Sequence, residues 1–135
     1  SRMMLLDTSA VLGYLQNEPG CEQVASEILT GQASICVVNQ TEVLSKLCDK
    51  GMGWADAQKT LSKLALLSDA FTLEMALEAA RLRPLTRSYG LSLGDRDCLA
   101  AARIRQCAVL TGDRDWLHIA DTVGLKIHSF RPAAH

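Results

Sequence analysis

The chain has 135 residues and a net charge of -1, with 48% hydrophobic and 21% charged residues. Its apolar stretches are short and broken, which excludes a disordered polypeptide and a membrane span and is typical of one soluble globular domain. We therefore expect a single domain over residues 1–135. The opening residues show neither the apolar core nor the cleavage signal of a secretory peptide, which favours a cytoplasmic location.

The apolar pattern alternates between short strands and helices along the chain. The predicted strands are 3–6, 34–38, 70–73, 108–110 and 125–129. The predicted helices are 8–15, 21–30, 40–50, 54–68, 74–83, 93–106 and 114–122. This alternation predicts a three-layer α/β/α domain with a twisted, mostly parallel central sheet and helices on both faces.

Three helix ends are predicted from specific residues. Asn39 and Glu42 have the spacing of a capping box for the helix at 40, and Ser92 and Asp95 have the same spacing for the helix that follows them. Pro84 is expected to stop the helix that begins at 74.

The cysteines and the charge distribution narrow the classes of function. The five cysteines contain no C-x-x-C pair, which argues against a zinc knuckle or a disulfide framework and predicts mostly buried thiols. Residues 1–80 carry five Lys/Arg and ten Asp/Glu, whereas residues 81–135 carry nine and five. The basic segment RLRPLTR, residues 81–87, predicts either a surface for a phosphate-rich partner or a solvated charged face.

Four acidic residues stand where a strand or loop gives way to a predicted helix: Asp7, Glu42, Asp95 and Asp113. All four map to the carboxyl end of the predicted sheet, where open α/β sheets bind their ligands. A group of carboxylates is tolerated mainly when a divalent cation neutralises it. The pattern predicts a Mg²⁺ or Mn²⁺ site that serves phosphoryl chemistry.

Each of these acids also has a purely structural explanation as a helix cap. Capping does not require four acids to meet at one edge of a sheet, so the set favours a site. The short polar side chains next to the acids, suited to orient carboxylates, are Thr8, Ser9, Asn39 and Thr111. Asp115 is a candidate supporting residue, whereas Asp97 is expected to be a solvated charge.

The acids lie in the segments MLLDTSAVLGYL, EVLSKL, LSLGDRDCLAAA and VLTGDRDW. With these segments in this order, the chain resembles the PIN-domain family, specifically the VapC-type toxin ribonucleases of bacterial toxin–antitoxin pairs. The resemblance implies a Mg²⁺- or Mn²⁺-dependent endoribonuclease in which Asp7, Glu42, Asp95 and Asp113 are the catalytic metal ligands. It also implies an RNA substrate, a homodimer and a cognate VapB-like antitoxin, with no membrane partner.

Two departures from the family pattern concern the surroundings of the acids. Asn39 stands where the family often has Ser, and Arg96 and Asp97 follow Asp95 where small residues are usual. Two alternative functions stay open. One is a non-catalytic PIN-like protein-binding module. The other is a different metal-dependent phosphohydrolase of the haloacid-dehalogenase type, although the D-x-D motif that such an enzyme needs after its first strand is not present in Asp7-Thr8-Ser9.

Overall fold

The computed structural model describes residues 3–133, so the ends of the predicted domain, residues 1–2 and 134–135, lie outside the described residues. The five strands are β1 (Met4–Leu6), β2 (Ala33–Cys36), β3 (Leu67–Asp69), β4 (Ala108–Thr111) and β5 (Ile127–Ser129). The α-helices are α1 (Thr8–Leu15), α2 (Glu22–Leu29), α3 (Val37–Asp49), α4 (Trp54–Ser62), α5 (Leu73–Thr86), α6 (Leu93–Arg105) and α7 (Ala120–Val123). All strand pairs are parallel, and the sheet order is β3-β2-β1-β4-β5.

Alternation along the central strands divides the core into two parts, because successive side chains of a strand point to opposite faces of the sheet. Leu5 and Val109 belong to a buried cluster built mainly with α5 and α6. Leu6 and Leu110 belong to a second cluster built with α1, α2, α3 and α4. The molecule is thus a helix–sheet–helix sandwich, and the predicted α/β/α fold is confirmed.

The strand register positions the candidate acids. β1 and β4 are neighbours, with Leu6 opposite Leu110. The chain leaves both strands at the same edge of the sheet, directly before Asp7 and shortly before Asp113. β3 is an edge strand, as predicted, but it spans Leu67–Asp69 and not 70–73.

The predicted start of α3 is wrong. The helix begins at Val37, directly after β2, and its N-cap Cys36 forms no side-chain capping hydrogen bond. Asn39 therefore lies inside the helix and cannot form the predicted capping box with Glu42. The β-branched pair Val37-Val38 is typical of a strand, but the helix is favoured because Asn39, Val43 and Leu47 recur every four residues and are all buried.

Two further helix ends differ from the prediction. α4 ends at Ser62, and Ala65 then adopts a left-handed backbone conformation with φ of 50°. α5 continues through Pro84 to Thr86, so the prediction that proline stops it is wrong. Pro84 lies in the last turn, where it removes only one backbone hydrogen bond, to the carbonyl of Ala80, and Ala80 is exposed to solvent.

The other differences are small. The predicted helix over 114–122 is divided into a 3₁₀ turn at Arg114–His118 and the short α7. All five cysteines are free and four are buried, as predicted. None of the helices within residues 3–133 combines the length and apolar character needed to cross a lipid bilayer.

Candidate active site

Asp7 is the most constrained of the four candidate acids. It follows β1, caps α1 and is 4% exposed. Its Oδ1 accepts from the Ala10 amide at 2.8 Å, and Ser9 Oγ lies 2.8 and 2.9 Å from its two oxygens. Thr111 Oγ1, at the end of β4, donates to Asp7 Oδ2 at 2.7 Å. Asp7 is therefore a helix cap and, in addition, a carboxylate fixed between two strand ends.

Burial sets the protonation of Asp7. Desolvation raises its pKa from 3.8 to about 6, although the hydrogen bonds from Thr111, Ala10 and Ser9 lower the pKa. The negative charge of Asp95 raises it further. The protein thus holds a buried carboxylate whose ionised form is unfavourable without a neutralising partner.

Glu42 is held by residues from two neighbouring segments. It lies one helical turn after Asn39 on α3, and its Oε1 accepts from Thr8 Oγ1 at 2.7 Å and from Asn39 Nδ2 at 2.9 Å. Asn39 Nδ2 also donates to the Gly94 carbonyl at 3.2 Å. These contacts connect the carboxylate on α3 to the starts of α1 and α6, so two of the predicted supporting residues, Thr8 and Asn39, lie beside an acid.

Asp95 lies at the start of α6. It occupies the third position of α6 in a capping box with Ser92, as predicted, with Ser92 N donating to Asp95 Oδ2 at 3.0 Å. Burial raises the pKa of Asp95, and the charges of Glu42 and Asp113 raise it further. Because Asp95 also raises the pKa of Asp7, it interacts electrostatically with all three other acids.

Asp113 follows β4 and caps the 3₁₀ turn. Its Oδ1 accepts from the Asp115 amide at 2.9 Å, and its own amide donates to Thr111 Oγ1 at 3.0 Å. Thr111 therefore bonds to both Asp7 and Asp113. Asp115 contacts Asp113 through its backbone, while its side chain is exposed.

The prediction for Asp97 is wrong, because this residue is 6% exposed and not a solvated charge. Burial raises the pKa of Asp97, the charge of Arg96 lowers it and the charge of Glu42 raises it. Asp97 lies three residues after Gly94, on the same face of α6. The sequence held no signal for this position, because only the fold brings Glu42 against Gly94.

Ser9 contacts two segments of the site that are far apart in the sequence. Besides Asp7, its Oγ accepts from the Gly112 amide at 2.8 Å and lies 3.3 Å from Thr111 Oγ1. It joins the carboxylate to the turn after β4. No local pattern identifies this role, since the partner at Gly112 is 103 positions away in the chain.

The donors fit a hard divalent cation in their chemistry. They are all oxygen atoms, and their charges disfavour one another. The buried Oδ1 of Asn39 has no hydrogen-bond partner within the described residues, which leaves one further oxygen beside Glu42. No three His, Cys, Asp or Glu side chains in residues 3–133 are close enough to form a ready cation site.

The protein is an α/β protein with a parallel sheet, helices on both faces of the sheet and acidic residues at the carboxyl edge of the sheet. Comparison with known families identifies the family within this general class. Residues 4–122 match the PIN domain family, and the chain belongs to that family. The predicted PIN-domain resemblance is therefore confirmed. No curated protein matches the sequence.

Several solved structures have the same fold. A chain of a toxin–antitoxin complex from Klebsiella pneumoniae is 18% identical with a TM-score of 0.71, covering 96% of this chain and 99% of the other. A chain of DNA-bound VapBC from Salmonella typhimurium is 15% identical with a TM-score of 0.74, covering 96% and 98%. A chain of FitAcB from Neisseria gonorrhoeae is 16% identical with a TM-score of 0.69, covering 95% and 98%.

Proposed function

We propose that this protein is a metal-dependent endoribonuclease that hydrolyses RNA phosphodiester bonds, and that it is the toxin of a VapBC-type pair. The observation that carries the proposal is the arrangement at one edge of a PIN-domain sheet, where Thr111 bonds to both Asp7 and Asp113 and the carboxylate of Glu42 packs against Gly94, next to Asp95. The family match leaves no support for a haloacid-dehalogenase-type phosphatase.

Asp7, Glu42, Asp95 and Asp113 would hold Mg²⁺ or Mn²⁺. Such an ion supplies charge neutralisation at the scissile phosphate and lowers the pKa of water toward ~7. Hydroxyl and amide groups of the chain donate hydrogen bonds to these carboxylates and fix them in place. This lowers the free-energy cost of orienting the carboxylates for a cation. Because the pKa of Asp7 is about 6, cation binding near that pH requires release of the proton from this carboxyl group.

Arginines near the start of α6 support RNA as the substrate. Arg83 and Arg87 lie at the end of α5, and the short connection 87–92 leads from there to the helix that carries Asp95. Both side chains are exposed and form no ion pair within residues 3–133, whereas Arg81 pairs with Glu78. Two unpaired cations would attract the phosphates that four acids repel.

A protein partner is supported by the exposed apolar surface of α5. Leu73 and Leu77, one turn apart, are 75% and 65% exposed. An exposed apolar patch is typical of a protein interface. Since the DNA-bound VapBC of Salmonella typhimurium includes a chain of this fold, the proposed partner is a VapB-like antitoxin. We also propose a homodimer, which size-exclusion chromatography with light scattering would test.

The decisive experiment is cleavage of a mixed RNA pool by the purified protein with Mg²⁺ or Mn²⁺ and with EDTA. We expect metal-dependent cleavage that Asp95→Asn abolishes in a folded protein. Asp121→Asn is the matched control, because Asp121 is an exposed first-turn acid outside the site. If the folded wild-type protein cuts no RNA with either ion, the nuclease proposal fails and a non-catalytic protein-binding module replaces it.

A further inference from the structure

The carboxylate of Glu42 lies against the backbone of Gly94. A Cβ atom added at Gly94 would lie 2.5 Å from Glu42 Oε2, 2.6 Å from Oε1 and 2.7 Å from Cδ. These distances are well inside van der Waals contact, and all three atoms belong to the same carboxylate. Only glycine leaves the space that this carboxylate occupies.

Backbone conformation does not explain this glycine. Gly94 is the second residue of α6 and is not among the positive-φ positions. Glycine in a helix costs roughly 0.5–1 kcal/mol relative to alanine, so its presence here is unfavourable for the helix alone. The close approach of Glu42 supplies the reason for it.

We propose that Gly94 is a positioning residue, which brings the carboxylate of Glu42 onto the start of α6 beside Asp95. The effect on cation binding rests on the proposed function, whereas the contact itself does not. Asn39 reinforces the approach, because its Nδ2 donates both to Glu42 Oε1 and to the Gly94 carbonyl, at 2.9 and 3.2 Å.

The contact cannot be relieved by a simple rotation of Glu42 that keeps its hydrogen bonds. Thr8 Oγ1 and Asn39 Nδ2 both hold Oε1, at 2.7 and 2.9 Å, while Gly94 limits the space around the same carboxylate. In Gly94→Ala the methyl group forces either the carboxylate away from these donors or α6 away from α3. Either movement changes the position of Glu42 relative to Asp95.

A double-mutant cycle measured in EDTA tests the contact without any metal or RNA. We expect Gly94→Ala to lower the Tm of the wild-type protein but to raise it by about 2–4 °C in a Glu42→Ala background, where only the better helix propensity of alanine acts. Gly53→Ala is the matched control, since its Cβ would meet nothing within 4 Å and its effect should be the same in both backgrounds.

An equal Tm change for Gly94→Ala in both backgrounds would overturn the proposed contact. If Gly94→Ala alone does not fold, recovery of folding on adding Glu42→Ala supports the contact, and failure to recover overturns it.

Calorimetric titration with Mn²⁺ tests the consequence for the cation. Gly94→Ala is expected to weaken Mn²⁺ binding 10–100-fold, the range found for residues that orient metal ligands. Shortening the acid in Gly94→Ala/Glu42→Asp withdraws the carboxylate by one methylene and should recover part of this loss. If the wild-type protein neither binds Mn²⁺ nor cuts RNA, the proposed function is contradicted, but the double-mutant cycle in EDTA still tests the contact. If the wild-type protein binds Mn²⁺ and Gly94→Ala binds it equally well, only the positioning role is contradicted.

Discussion

A hydrogen bond between Thr111 and Asp7 connects the ends of two neighbouring strands at the site. The hydroxyl of Thr111, at the end of β4, donates to the carboxylate of Asp7, directly after β1, at 2.7 Å, and both residues are buried. This single contact spans 104 positions in the chain. It places Asp7 beside the turn that carries Asp113, since the Asp113 amide donates to the same hydroxyl.

The first prediction concerns Thr111→Val, which keeps the side-chain shape and removes the hydroxyl. Loss of a hydrogen bond to a charged group costs about 1.5–3 kcal/mol of unfolding free energy at neutral pH. The pKa of Asp7 should rise further above 6, because this bond lowers it. Urea unfolding and carboxyl NMR titration measure the two effects. Thr60→Val, which loses only a 3.6 Å contact to the Met52 sulfur, is the control and should change stability much less.

The second prediction is a loss of stability with rising pH in the metal-free protein. The folded pKa of Asp7, about 6, lies above its ordinary value of 3.8, so the folded state binds more protons between these values. Stability therefore falls as pH rises from about 4 to about 6, by about 3 kcal/mol for this group. Asp95 and Asp97 shift in the same direction and add to the slope.

Urea unfolding in EDTA from pH 4 to pH 7 measures this slope. Asp7→Asn should make it shallower, because its amide does not titrate. An unchanged slope in Asp7→Asn would show that this carboxyl group is not the source.

The third prediction is that divalent cations reverse the pH effect. A cation that binds only the folded state stabilises it by about 2.7 kcal/mol at a hundred times its Kd. Protons compete for Asp7 at pH 5, so the rise in Tm with Mn²⁺ should be larger at pH 7 than at pH 5. Asp95→Asn should show little rise at either pH. A rise in Asp95→Asn equal to that of the wild type would place the cation elsewhere.

The fourth prediction concerns the arginines near the start of α6. Replacing Arg83 and Arg87 by Gln should weaken RNA binding and reduce the slope of log affinity against log salt by about 1.4, or about 0.7 for each lost phosphate contact with single-stranded RNA. Mn²⁺ affinity should be unchanged. Fluorescence anisotropy across a salt series measures the slope. Arg81→Gln is the control, since Arg81 is on the same helix but already pairs with Glu78.

The parallel sheet and the positions of the acids at strand ends and helix starts could be predicted from the sequence, because these features depend on local signals. Apolar runs that are followed by Asp within three residues identify β1 and β4, and Ser92-x-x-Asp95 identifies the start of α6 through capping chemistry. These signals act within a few residues, so reading along the chain finds them.

The parts that could not be predicted depend on contacts between distant segments. Asn39 has the spacing of a cap, yet burial of one helical face continues α3 back to Val37. Asp97 was expected to be solvated because it lies two residues after Asp95, on a different side of α6, but that side is buried in the fold. Gly94 had no assigned role, since only the fold brings the carboxylate 52 positions earlier in the chain against it.

The distance in sequence between Asp7 and Thr111 also determines when the site can exist. β1 lies in the middle of the sheet, with β2 on one side and β4 on the other, so its carboxyl end is completed only after residues 108–113 have been made and paired. Pairing between such distant segments is slow, because closing so long a loop costs entropy before the contact forms. A chain still on the ribosome, or one cut before β4, has Asp7 and Glu42 but cannot assemble the four-acid group. Any activity that needs this group begins only when synthesis of the domain is nearly complete.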